Sequence, residues 1–174
     1  MHGMVPCHYS KSVSAPKDGA FACGAHSDYG FMTFLTTDSV PGLEVLRSKS
    51  GGGVVKGQHL DGGSKNSDDH MWVPVPPLPN NFIVNLGDML MQWTNDKYLS
   101  TVHRVVNRKG LERYSIPFFF EPNFNTVVEC LPQFATMDNP AKYAATTSGD
   151  YKLFKHLEAH DELREKVEKE SNTK

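Results

Sequence analysis

His26 and Asp28 stand two residues apart in "GAHSDYGFMTFL" (24–35), directly ahead of a segment that alternates like a strand. On an extended chain residues i and i+2 face one side, so this imidazole and this carboxylate can reach a single metal ion, with Ser27 opposite. An H-x-D pair is common by chance, so a third ligand has to come from elsewhere. His103 in "LSTVHRVVN" (99–107) is the candidate: it sits among Val102, Val105 and Val106, where a buried imidazole needs polar partners. Just after it, "NRKG" (107–110) is a turn signal, which predicts an antiparallel hairpin between 99–106 and 112–120. With the turn centred near 108–109, His103 lies opposite a residue between Arg113 and Ser115. Those two share a face and, in the right register, the same interior as His103. That face continues with Pro117 and Phe119 and carries no acid, so a buried Arg113 calls for an outside anion. A carboxylate would meet the guanidinium in a planar, bidentate pair, and Ser115 could add a hydrogen bond. Two histidines and one carboxylate with open positions left over is the ligand set of non-haem Fe(II) oxygenases. Taken singly, each residue has a plainer role: a surface pair, a core histidine, a surface cation. The case rests on their combination.

The elements that must position these residues read as mainly β up to about residue 130, with short apolar runs broken by Pro and Gly. In "YGFMTFLT", Phe31, Thr33 and Leu35 share one face, with Met32 and Phe34 on the other. "GLEVLR" (42–47), "NFIVNLGD" (81–88), "MLMQWTND" (89–96), "LSTVHRVVN" (99–107) and "RYSIPFFFEPN" (113–123) read as further strands. Residues 47–71, rich in Gly, Ser, Asp and Lys, read as a long mobile surface insertion that holds His59 and His70 as solvated side chains. Near the end, Leu153, Leu157, Leu163 and Val167 recur at helical spacing, which predicts an amphipathic helix over about 149–170 docking on the body. His156 and His160 on it have metal-ligand spacing, but nothing adds a third ligand, so a solvated helix face is the plainer reading.

Composition narrows the classes. The chain has 174 residues, a size suited to one domain, and a net charge of −2, which argues against a nucleic-acid partner. No apolar run is long enough to span a membrane, and the N-terminus lacks the regions of a signal peptide, so a cytosolic protein is expected. Cys7, Cys23 and Cys130 are scattered and odd in number, and read as three reduced thiols rather than a disulfide or zinc site.

The segments "GAHSDYGFMTFL", "PGLEV", "WVPVPPLPNNFIVNLGDMLMQWTNDKYLSTVHRVVN", "RYSIPFFFEPN" and "VVECLP" together resemble, in order, the C-terminal catalytic half of the 2-oxoglutarate- and Fe(II)-dependent dioxygenases of the isopenicillin N synthase-like type. The likeness runs from about residue 5 to about residue 160. It implies a double-stranded β-helix, a jelly roll, with a C-terminal helical extension: one catalytic domain over 1–174, its jelly roll about 5–130, with the family's N-terminal domain absent. It implies His26, Asp28 and His103 as ligands of Fe(II), and Arg113 and Ser115 as the grip on the far carboxylate of 2-oxoglutarate. Tyr9 matches a position that often contacts 2-oxoglutarate, Phe119 shares the Arg113 face and is a candidate for pocket lining, and Gly87, Asp88 and Asn95 match structural positions. No catalytic residue beyond the metal centre is implied. The activity implied is oxidation, most often hydroxylation, of a small organic substrate by dioxygen, with 2-oxoglutarate converted to succinate and carbon dioxide. The alternative is a truncated, catalytically silent member that binds metal or a partner without turnover. A metal protein of another chemistry, such as a cupin-like isomerase, is a third reading, against which the Arg-x-Ser pair argues.

Overall fold

A computed structural model describes residues 2–50 and 69–159. Eleven short strands and two α-helices are described, with 3-10 turns at Pro16–Asp18 and Pro132–Phe134: β1 (Gly3–Met4), β2 (Cys7–Tyr9), β3 (Cys23–His26), β4 (Met32–Thr37), β5 (Leu43–Ser48), β6 (His70–Pro74), β7 (Ile83–Leu86), α1 (Asp88–Trp93), β8 (His103–Val105), β9 (Arg113–Phe120), β10 (Val127–Val128), β11 (Thr146–Thr147) and α2 (Ser148–Ala159). They build two antiparallel sheets. One runs β1-β9-β4-β7, with β2 also on β9; the other runs β3-β8-β5-β6. β10 and β11 form a separate pair. In the two sheets, apart from β5 and β6, which follow one another in the chain, paired strands are not consecutive, so the chain passes back and forth between sheets. This is the mainly β structure that the pattern predicted, in the jelly-roll form that the resemblance implied.

Alternation along β9 sets the inside. Arg113 and Ser115 are buried, with Pro117 and Phe119 following on the same side; Tyr114, Ile116 and Phe120 face out. On β4, Thr33 and Leu35 of the expected face turn inward to the cavity, with Thr33 opposite Phe119 across the ladder, while Phe31, just before the strand, packs against Trp93 and Phe120. Leu43, Leu46, Val102, Val105 and Val106 fill the interior of the second sheet's end, and Met89, Met91 and Val128 bury the base of α1.

Four expectations change. The hairpin between 99–106 and 112–120 does not form: β8 pairs with β3 and β5, and β9 with β1, β2 and β4, so they belong to opposite sheets. The turn chemistry itself is present, with Gly110 at φ +62. The turn, however, is pinned to the segment before β3. The Asn107 side chain donates to the carbonyls of Ser10 (2.9 Å) and Leu111 (2.8 Å), and its N–H donates to Ser14 Oγ. The chain is thereby carried across to the other sheet.

Second, 89–96 is not a strand. Asp88–Trp93 is helical, since "MLMQ" is a run of good helix formers without β-branching or polar alternation and Asp88 favours the first turn. Third, Arg47 and Ser48 pair with Met71 and His70, so strand ladder extends into both ends of the 47–71 segment. Its residues 51–68, His59 included, lie outside the described residues.

Fourth, α2 docks by a different face. Leu153 and Phe154 are exposed. Leu157 is half-buried, the Phe124 ring lies against Gly149, and polar contacts add to the docking: Tyr151 Oη donates to Asp88 Oδ2 at 3.0 Å, and Lys152 Nζ to Glu121 Oε2 at 2.5 Å. His160, Leu163 and Val167 lie outside the described residues.

Candidate metal centre and the cavities beside it

His26 and His103 are direct cross-strand partners at the end of the β3–β8 ladder, their rings 4.3 Å apart. Each ring is fixed the same way. His26 Nδ1 lies 2.8 Å from the Gly24 carbonyl and His103 Nδ1 lies 2.9 Å from the Thr101 carbonyl. A carbonyl only accepts, so both Nδ1 atoms carry the proton and both Nε2 atoms are left to ligate.

Asp28 is not on the strand with His26. β3 ends at His26, after a register shift between Cys23 and His26, and Asp28 follows in the connection to β4. The loop is anchored by Asp88 N–H donating to the Asp28 carbonyl at 2.8 Å. The buried Asp28 carboxylate is aimed by two donors on Oδ2, Thr33 Oγ1 at 2.5 Å and Asn85 Nδ2 at 2.7 Å. Its other oxygen, Oδ1, faces His26 Nε2 at 3.9 Å and His103 Nε2 at 3.8 Å. One ligand atom from each of the three residues lies within 4.8 Å of the others, a set that could hold a divalent cation from one side.

Thr33 and Asn85 were not singled out in the sequence. Their signal was present but slight: each is the polar residue on an otherwise apolar strand, in "FMTFL" and "FIVNL".

Charge around the histidines is asymmetric. Burial alone would push His26 down. The Cys23 sulfur 3.8 Å from Nδ1, the Gly24 carbonyl and Asp28 more than offset it, and the imidazole is pushed up to about 9. His103 is held below the ordinary histidine value by burial and by His26 beside it.

Arg113, Ser115 and Tyr9 face this cluster from the opposite sheet. All three, with Phe119, His26, Asp28 and His103, line one cavity of about 140 Å³. Arg113 is 2% exposed, and its Nε and Nη1 have no hydrogen-bond partner among the described residues. Its guanidinium lies over the Tyr9 ring at 5.0 Å. Ser115 Oγ donates to Tyr9 Oη at 3.4 Å, and burial pushes the Tyr9 phenol above its usual value. A buried cation without an anion is costly, so the donor set fits a bound carboxylate. A second cavity of about 400 Å³ opens on the other side of His26 and Asp28, toward α2.

Comparison with known proteins places the chain in a family. A family model described as the 2OG-Fe(II) oxygenase superfamily matches residues 2–122. The 2-oxoglutarate-Fe(II) type oxidoreductase hxnY of Emericella nidulans is 40% identical over 127 residues, covering 73% of this chain and 31% of that protein. Kihadalactone A synthase LFS of Citrus sinensis is 39% identical over 136 residues, covering 77% of this chain and 35% of that protein. Among solved structures, a full-length Neurospora crassa protein in complex with alpha-KG superposes with a TM-score of 0.70 at 29% identity, covering 91% of this chain and 45% of that one. The chain thus spans about a third of the length of these curated relatives.

Proposed function

This chain belongs to the 2OG-Fe(II) oxygenase superfamily, and from that premise we propose that it carries the catalytic domain of an Fe(II)- and 2-oxoglutarate-dependent oxygenase of the isopenicillin N synthase-like type. The proposed activity is oxidation, most often hydroxylation, of a small organic substrate. The observation that carries the reading is Arg113: a buried guanidinium with unpartnered donors, in the same cavity as His26, Asp28 and His103.

In this reading the Nε2 atoms of His26 and His103 and Oδ1 of Asp28 hold the iron. Thr33 and Asn85 keep Asp28 turned toward it. Arg113 and Ser115 hold the remote carboxylate of 2-oxoglutarate, with Tyr9 packed over the guanidinium. Phe119 helps to line the cavity and keep water out. Bound iron and 2-oxoglutarate supply the oxidising chemistry, with dioxygen as co-substrate and succinate and carbon dioxide as products. The chain's own part is to bind, orient and desolvate. No helix among the described residues is long and apolar enough to cross a membrane. A cytosolic setting accords with the three free thiols.

The test is an anaerobic absorbance titration with Fe(II) and then 2-oxoglutarate, beside His103→Ala and Arg113→Ala. A visible charge-transfer band that needs both additions, vanishes in His103→Ala and requires far more 2-oxoglutarate in Arg113→Ala is the expected result. Iron binding without the band would overturn the cosubstrate assignment, and a folded chain that takes no iron would overturn the oxygenase reading.

A further inference from the structure

The two cavities that meet at His26 and Asp28 are built on opposite electrostatic terms. One holds a buried cation without a counter-charge. The other, of about 400 Å³, carries in its wall, besides the proposed ligands His26 and Asp28 and the imidazoles of His2 and His156, one cation and one anion, Lys152 and Glu121, and these are paired with each other. Lys152 Nζ lies 2.5 Å from Glu121 Oε2, with the two side chains 25% and 10% exposed. The rest of the wall near the metal ligands is mainly apolar, with Val5, Phe119 and the Tyr29 ring.

The pair is held in place from several sides. Gly30 has no side chain, and a Cβ there would lie 2.8 Å from Glu121 Cγ, so Glu121 rests directly on the loop that carries Asp28. Glu121 N–H donates to His2 Nδ1, and the His2 ring stacks on Phe120 at 4.9 Å. α2 is fixed by the Tyr151–Asp88 bond and by Lys155, which is paired with Glu158 and lies 5.6 Å from the centre of the Tyr29 ring.

We propose that this cavity takes the oxidisable substrate, that it selects neutral, mainly apolar molecules over carboxylates and amines, and that the Lys152–Glu121 pair sets this selection; the proposal rests on the oxygenase reading above. A carboxylate ligand would have to draw Lys152 away and leave Glu121 buried without its cation. An amine would have to do the reverse. A neutral molecule gains the apolar contacts and leaves the pair closed.

A matched series of bicyclic probes tests this: 2-naphthamide, 2-naphthoate and 2-naphthylmethylamine. Affinities are read by ligand-observed NMR titration on the full chain, both metal-free and loaded anaerobically with Fe(II) and 2-oxoglutarate. The wild-type chain is expected to bind the amide at least about tenfold more tightly than either charged probe. Glu121→Gln, which frees Lys152, should reverse the order of amide and naphthoate. Lys152→Met, which frees Glu121, should move the amine upward instead. A wild-type preference for either charged probe, no binding of any of the three, or an unchanged order in both variants would overturn the proposal. The metal-free arm is run in the Arg113→Met background, where the adjoining cavity no longer offers a carboxylate an unpaired cation; it reads the charge preference even where iron or 2-oxoglutarate fails to bind, so failure of the oxygenase reading is seen separately.

Discussion

At the scale of single residues, Arg113 is where stability and function oppose each other. Its guanidinium is 2% exposed, two of its nitrogens lack partners among the described residues, and its nearest compensation is the face of Tyr9. Burying an uncompensated charge costs several kcal/mol. Arg113→Met keeps the packing and removes the charge. The ligand-free variant is therefore expected to be more stable than wild type by about 1–3 kcal/mol, read by urea unfolding, while 2-oxoglutarate added with Fe(II) protects it no further than Fe(II) alone. A destabilised variant would mean that the guanidinium is satisfied by something other than a ligand. His26 gives a pH dependence of definite sign. Raised to about 9, it stabilises the metal-free fold below the ordinary value of about 6.5, and that contribution fades as the pH rises through 9. Metal uptake runs the other way, because an imidazolium cannot ligate. Co(II) affinity, followed by its d–d absorbance, should rise by about tenfold per pH unit between 7 and 9. A flat profile over that range would mean that His26 does not hold its proton above pH 7 in the metal-free chain; loss of Co(II) binding in His26→Ala checks its role as a ligand.

At the scale of elements, what the sequence could reveal and what it could not have one cause. Inward faces follow from alternation, a local property, and alternation brought Arg113, Ser115 and Phe119 to the right side of β9. Partner strands are not local. "NRKG" does turn the chain, but turn residues do not say to which sheet the chain returns, and the expected hairpin became a crossover held by Asn107 on Ser10 and Leu111. The convergence on His103 holds nonetheless, because the inward faces of two opposed sheets meet in one interior. Asn85 reaches Asp28 from 57 residues away, a distance over which single-sequence patterns carry no pairing information. The α1 entrance shows how tightly such elements are fitted. A Cβ on Gly87 would lie 2.3 Å from the Gly30 carbonyl oxygen and 3.0 Å from the Asp28 carbonyl oxygen, both backbone atoms. Gly87→Ala should therefore cost about 1–3 kcal/mol and also weaken metal binding, because the loop that must yield carries Asp28. Calorimetry paired with a metal titration checks it. A loss of stability with unchanged metal affinity would show that the loop relaxes without moving the carboxylate.

At the scale of the whole molecule, the proposed ligands divide between the two sheets. His26 and His103 come from the sheet β3-β8-β5-β6, while Arg113 and Ser115 come from β9 of the other. Between them lies a cavity of about 140 Å³ rather than packed side chains. Neither sheet alone completes a site for the pair of ligands. Iron by itself would touch one sheet and the Asp28 loop. 2-Oxoglutarate by itself would reach Arg113 with nothing for its other end to grip. Bound together, they would join the sheets across the interior, so each should strengthen the binding of the other. Saturation at a hundred times the dissociation constant adds about 2.7 kcal/mol to the folded state. In a chain of this size that is a rise of roughly 5–10 °C in the unfolding midpoint. The expected pattern under anaerobic calorimetry is a small rise with Fe(II), almost none with 2-oxoglutarate, and a rise with both that exceeds their sum. Arg113→Met should abolish the excess and leave the iron-only rise intact. Strictly additive rises would mean that the two ligands do not share the cavity, and the bridging of the sheets would fall with that result.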